Sequence, residues 1–132
     1  MRFVLYNQAV PNARILIIED EADLATLYEY HLKGLGYRVL SAATGKEGLK
    51  AFRRGRFDAV VLDLMLPDMH GLECFRHLRR ASRVPVLFLS ARKEAAGLRF
   101  RGDGGPAHCL LKPCSLSALG DRLRAMTAGA AR

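Results

Sequence analysis

Short apolar runs, each closing on a polar side chain, recur along this chain with amphipathic helical stretches between them. That alternation constrains the fold more than any other feature. Residues 14–18 read R-I-L-I-I and run into Glu19, Asp20 and Glu21; residues 59–62 read A-V-V-L and run into Asp63. Residues 86–89 read V-L-F-L and end on Ser90; residues 108–111 read H-C-L-L and end on Lys112. Runs this short, rich in β-branched residues, fit strands buried on both faces of a parallel sheet. A further strand is expected over residues 37–42. Strands alternating with helices predict a sheet covered on both sides.

The intervening stretches carry helical periodicity. Leu24, Leu27, Tyr28, Leu32 and Leu35 fall on one face of a helix over residues 22–35, with Gly36 placed to stop it. Thr44 and Glu47 have capping-box spacing and open a helix that turns Leu49 and Phe52 inward. A third helix follows Gly71, with Leu72, Phe75 and Leu78 inward, and a last one over residues 115–126 presents Leu116, Leu119, Leu123 and Met126. Between the fourth and fifth strands the pattern weakens. Gly97, Gly102, Gly104 and Gly105 each cost a helix about 1 kcal/mol against Ala, so a helix there is expected to be short or mobile.

At 132 residues, half of them hydrophobic, the chain fits one domain with an adequate core. It has no apolar run long enough for a membrane span, and the run at residues 3–6 is too short for the core of a signal peptide, so cytoplasm is the expected location. A net charge of +8 raises the question of an acidic partner. Arg53, Arg54 and Arg56, and again Arg76, Arg79, Arg80 and Arg83, form basic clusters. Without interleaved aromatic residues they read as solvated helix faces rather than a stacking platform for nucleic acid. Cys74, Cys109 and Cys114 match no metal spacing and read as reduced thiols.

Asp63 is the residue that packing does not explain. A buried strand gains nothing by ending on a carboxylate, and in open α/β sheets ligands sit just outside the carboxyl ends of the strands. An ordinary turn Asp is the plain alternative for this stretch alone. Three other strands ending on polar residues weigh against it.

E-D-E at residues 19–21, L-D-L-M-L-P at 62–67, L-S-A-R at 89–92 and L-K-P at 111–113, in this order, resemble the receiver domain of bacterial two-component response regulators. L-M-L-P-D-M-x-G with S-A-R is similar to the subfamily of winged-helix transcription factors. The resemblance implies a flavodoxin-like α/β fold, a five-stranded parallel sheet of order 2-1-3-4-5 with helices on both faces. It further implies a receiver domain over residues 14–127, between a tail at 1–13 and a linker or frayed end at 128–132.

Carboxylates that share a pocket need a cation, and Mg²⁺ suits oxygen ligands. By the same resemblance Asp20, Asp63 and the carbonyl of Met65 bind Mg²⁺ directly, and Glu19 acts through water. Asp63 would accept a phosphoryl group from a sensor histidine kinase, Lys112 would neutralise charge, and Ser90 with Ala91 would bind the phosphoryl oxygens and throw the switch. Met65 and Arg92 would flank the path of the attacking water, which implies slow autodephosphorylation. The output would be transcription, through a DNA-binding effector domain outside this chain; no membrane is involved.

The chain departs from the family on its output side. Three residues before Lys112, where receivers carry a switching aromatic, stands Cys109, and Ala107 and His108 replace two common acidic residues. The family's dimer face, on the fourth helix, fifth strand and fifth helix, loses those charges. Two other classes therefore stay open: a pseudo-receiver acting as a phosphorylation-independent interaction module, and a phosphatase working through an aspartyl phosphate. The second needs a general acid and a cap domain that this length hardly allows.

Overall fold

The computed structural model describes residues 12–91 and 107–128. Five strands, β1 (Arg14–Ile18), β2 (Arg38–Ala42), β3 (Ala59–Asp63), β4 (Val86–Ser90) and β5 (Ala107–Leu111), form one sheet of order β2-β1-β3-β4-β5. Every neighbouring pair is parallel. The helices described are α1 (Ala22–Gly34), α2 (Gly45–Arg54), α3 (Gly71–Ala81) and α4 (Leu116–Met126). The expected order is the observed one.

Successive strand residues point to opposite faces, and this splits the core in two. Ile15, Ile17, Val61, Leu87 and Leu89 pack against Tyr28 and Leu32 of α1 and Leu119 and Leu123 of α4. Leu16, Ile18, Val60, Leu62 and Phe88 pack against Leu49 of α2 and Phe75 and Leu78 of α3. Each fully buried side chain of this size contributes about 2 kcal/mol from apolar burial, so β1, β3 and β4, buried on both faces, anchor the fold. The chain winds from β1 outward to β2, then returns past β1 to β3. The winding direction reverses between β1 and β3, and at their carboxyl ends that reversal opens a crevice.

Local chemistry sets the element ends. Thr44 Oγ1 accepts from the N–H of Glu47 at 3.0 Å, and Glu47 Oε1 accepts from the N–H of Ala43 at 3.3 Å, the reciprocal cap its spacing predicts. Ser115 Oγ accepts from the N–H of Ala118 at 3.0 Å and starts α4. Gly36 takes φ 103° after α1, a left-handed turn that favours glycine.

Three expectations need correction. Leu27, placed on the inward stripe of α1, is 45% exposed; it lies at the edge of that stripe, off the line of Leu24, Tyr28 and Leu32. Tyr37 precedes β2 rather than opening it, and its ring turns into the core, where its hydroxyl meets Thr127 Oγ1 at 3.2 Å. Arg79 does not join a solvated basic face: its guanidinium lies 4.7 Å from the centre of the Phe75 ring and donates to the carbonyl of Val84 at 2.6 Å. Most of the tail, the Gly-rich segment with its expected weak helix, and Arg92 lie outside the described residues. No helix among the described residues is long and apolar enough to cross a membrane.

Candidate functional site

Sheet register carries the polar strand ends to one edge. Ile18 of β1 stands opposite Leu62 of β3, so Glu19 and Asp63 leave the sheet side by side. Asp63 stands opposite Leu89, one residue before Ser90, and Ser90 stands opposite Leu111, one residue before Lys112. The backbone continues the ladder past the strands, with Leu64 N–H donating to Leu89 O at 3.1 Å and Lys112 N–H to Ser90 O at 2.7 Å. The Lys112–Pro113 peptide is cis. Glu19, Asp63 and Ser90 are buried, while Asp20, Met65 and Ala91 are exposed around them.

One oxygen from each of Glu19, Asp20 and Asp63 lies within 4.8 Å of the others. Lys112 is the cation that meets Glu19 and Asp63. Its Nζ is 3.0 Å from Glu19 Oε1, 3.2 Å from Asp63 Oδ2 and 3.8 Å from Glu21 Oε1. The contact with Asp63 is a hydrogen bond. The contact with Glu19 Oε1 is close but off the hydrogen-bond direction, so this buried oxygen has a charge beside it and no directed donor. Glu19 Oε2 accepts from the N–H of Glu21 at 3.1 Å, and Asp63 Oδ1 from the N–H of Met65 at 3.1 Å. Acceptor capacity left over on carboxylates this close fits a hard divalent cation with oxygen ligands.

The charges are tuned by burial and by one another. Burial pushes the Glu19 carboxyl up, Lys112 pulls it back, and the Asp63 charge adds to the rise, leaving it above the usual 4.5. Burial alone would lower the Lys112 ammonium. Glu19 and Asp63 outweigh it and hold Lys112 above its ordinary range, so it stays protonated at neutral pH.

The loop after β3 is clamped from two sides. A Cβ on Gly71 would stand 2.5 Å from the Asp63 carbonyl oxygen and 2.6 Å from Leu64 Cα, so only glycine lets α3 start this close to the strand end. Gly71 N–H donates to Leu64 O at 2.7 Å, and His70 Nδ1 caps α3 by accepting from the N–H of Leu72 at 3.1 Å. Asp68 reaches across to α2, accepting from the N–H groups of Gly45 at 2.8 Å and Lys46 at 2.9 Å. Sequence reasoning missed this clamp. Its partner lies 23 residues away, so no local spacing signals it. The contacts of Lys112 with Glu19, Asp63 and Glu21 make it the salt-bridge partner of the acidic cluster that its place in L-K-P suggests.

Cys109 stands opposite Phe88 on β5 and packs against the α2–α3 side of the core as a small apolar side chain. Burial raises its thiol and that of Cys114, and lifts Cys74 to about 12. All three thiols are therefore protonated at neutral pH.

The response regulator receiver domain family matches residues 15–124. The transcriptional regulatory protein AfsQ1 of Streptomyces coelicolor is 37% identical over 112 residues, covering 85% of this chain and 50% of its own. The transcriptional regulatory protein TcrA of Mycobacterium tuberculosis is 40% identical over 119 residues, covering 89% of this chain and 47% of its own. The chain thus spans about half the length of the curated relatives it matches. Among solved structures, the receiver domain of the sensor histidine kinase PA1611 from Pseudomonas aeruginosa superposes with a TM-score of 0.75 at 30% identity, covering 89% of this chain and 98% of that one. That structure has a magnesium ion coordinated in its active-site cleft.

Proposed function

Because the chain belongs to the response regulator receiver domain family, we propose that it is a phosphorylation switch whose substrate is its own Asp63. The observation that carries this reading is the meeting of Asp63, Glu19, Asp20 and Lys112 at one sheet edge. An Asp63 carboxylate oxygen attacks the phosphorus of a phosphohistidine on a sensor histidine kinase. The new P–O bond gives an acyl phosphate as the P–N bond breaks, and the imidazole nitrogen keeps the electron pair. Catalysis of this kind is mostly positioning and charge neutralisation.

Asp20, Asp63 and the Met65 carbonyl would hold Mg²⁺, with Glu19 acting through water. When bound, Mg²⁺ supplies the positive charge that lets a phosphoryl group approach clustered carboxylates. Lys112, already against Asp63 Oδ2, follows the developing charge. The Ser90 hydroxyl and the Ala91 N–H then take phosphoryl oxygens, Ala91 leaving room for them. Since Lys112 N–H is bonded to Ser90 O, a shift of Ser90 pulls on the end of β5.

The exposed Leu27 fits the same reading. With Leu24, Tyr28, Pro113 and Leu116 it lines an apolar cleft of about 370 Å³ that reaches Lys112, and this is the face we assign to the kinase. Given relatives that are transcriptional regulators of about twice the length, DNA would be reached through an effector domain. A second reading, a phosphorylation-independent interaction module, is favoured by Cys109, which leaves no aromatic ring to rotate. Intact mass before and after acetyl phosphate decides between them. One phosphoryl adduct, lost on chelation and in Asp63→Asn, supports the switch; no adduct, or an equal adduct in Asp63→Asn, overturns it.

A further inference from the structure

A second surface, lined by none of the residues of the carboxylate cluster, lies between α2 and β2. β2 is an edge strand, and between it and α2 runs a groove of about 420 Å³, continuous through Arg14, Leu40 and Phe57 with a smaller one of about 160 Å³ that takes in Arg38. Its floor is apolar: Leu40, 46% exposed, with Ala51 and Phe57. Its rim is cationic. Arg14 and Arg38 stand on the strand side, and Lys50 and Arg54, one helical turn apart, on the helix side.

None of these four cations has an ion-pair partner among the described residues. Glu47 is the one carboxylate among the residues that line the groove, its Oε1 accepting from the N–H of Ala43, and Asp58 stands next to the groove, its Oδ2 accepting from the N–H of Arg14 at 2.7 Å. Three cations on the larger groove and Arg38 on the smaller one outnumber these two carboxylates and leave a net positive field over the floor. Residues 1–11 contain no acidic side chain, so the tail brings no matching charge.

We propose that this groove docks an acidic segment of a partner protein that carries an apolar anchor, the anchor seated on Leu40 and carboxylates meeting the two cationic rails. Nucleic acid fits less well. The Phe57 ring is already engaged by the Arg14 guanidinium at 5.3 Å and by Phe52 at 6.1 Å, so it offers no free platform for a base. An exposed leucine lining the groove also has no counterpart in a phosphate backbone. This surface shares no residue with the phosphorylation site, and its test is independent of that reading.

The test is fluorescence anisotropy with the whole chain and a labelled Glu-rich peptide carrying one central Leu, beside the same peptide with Ser for Leu and a single-stranded oligonucleotide of equal charge. The Leu peptide is expected to bind saturably at about 0.15 M salt, and Arg38→Glu with Arg54→Glu to weaken it at least about tenfold. Leu40→Ser is expected to weaken the Leu peptide several-fold and leave the Ser peptide unchanged. Arg80→Glu, on the exposed side of α3, is the charge control and should have little effect. All four positions are exposed, and circular dichroism with urea midpoints confirms that the variants fold. Absent saturation, equal affinity in the groove variants, or tighter binding of the oligonucleotide would each overturn the proposal.

Discussion

Replacing Lys112 by Met removes the cation that contacts two buried carboxylates and keeps most of the side-chain volume. In the protein, Lys112 Nζ lies 3.0 Å from Glu19 and 3.2 Å from Asp63, whose side chains are only 1% and 6% exposed. Removing one partner of a buried pair costs about 3–5 kcal/mol. The cleft is open on the side of the exposed Asp20 and Glu21, where water can screen the remaining charge, so the lower end applies. A loss of about 3 kcal/mol is a fall in melting temperature of about 10 °C for a domain of this size. The pH dependence carries its own sign. Glu19 already titrates above its unfolded value, and without Lys112 it rises further. An acid whose folded pKa is raised penalises folding once ionised, so the deficit is full at neutral pH and shrinks as pH falls and Glu19 takes up a proton. On the alkaline side, while both carboxylates are ionised, the Lys112 contribution is present below its usual 10.5 and is lost as pH rises through its higher folded value. Urea unfolding of both proteins in chelator, near pH 7 and again near pH 4, measures this, and Mg²⁺ is expected to raise the variant's midpoint more than the native one. A variant within about 0.5 kcal/mol of the native protein at neutral pH, or a deficit unchanged by acid, would refute the reasoning.

Gly71→Ala is expected to cost about 3 kcal/mol, because its methyl group meets backbone atoms of Asp63 and Leu64 that cannot swing aside. Thermal melts should show this, with a parallel loss of Mg²⁺ affinity as the strand end moves; an unperturbed melt would contradict the close approach. Asp68→Ala should cost about 1 kcal/mol at neutral pH, the usual worth of a helix cap at a solvated position. Slight burial raises the Asp68 carboxyl, but the N–H groups of Lys46 and Gly45 outweigh it and hold its pKa below the ordinary 3.8. Its contribution is therefore present above that value and lost as pH falls further, so native and variant urea midpoints should converge in acid.

The elements and the polar residues that close the strands were legible because they rest on short-range rules. Two-sided apolar runs can be buried only in a covered sheet, Thr44 with Glu47 can satisfy each other's ends of one helix, and carboxylates at strand ends have no packing reason to be there. Whether the carboxylates meet was not a local matter. Glu19 and Asp63 lie beside each other because β3 returns past β1, and that register also makes Glu19 buried while its neighbour Asp20 is exposed. The strongest electrostatic feature, one ammonium shared by Glu19 and Asp63, joins the ends of three strands: the motifs at those ends mark the residues, and only the winding of the sheet brings them together. The same holds where expectation failed. Periodicity puts Leu27 near the apolar face of α1, but the approach of Pro113 and Leu116 decides that it lines an open cleft. Arg79 looks like one more surface charge until Phe75 and Val84 fold around it, and Asp68 looks like a turn residue until α2 offers its free N–H groups. Periodicity and capping act over one turn or one strand, whereas these contacts depend on how rigid elements are brought together. Only the wound sheet specifies that.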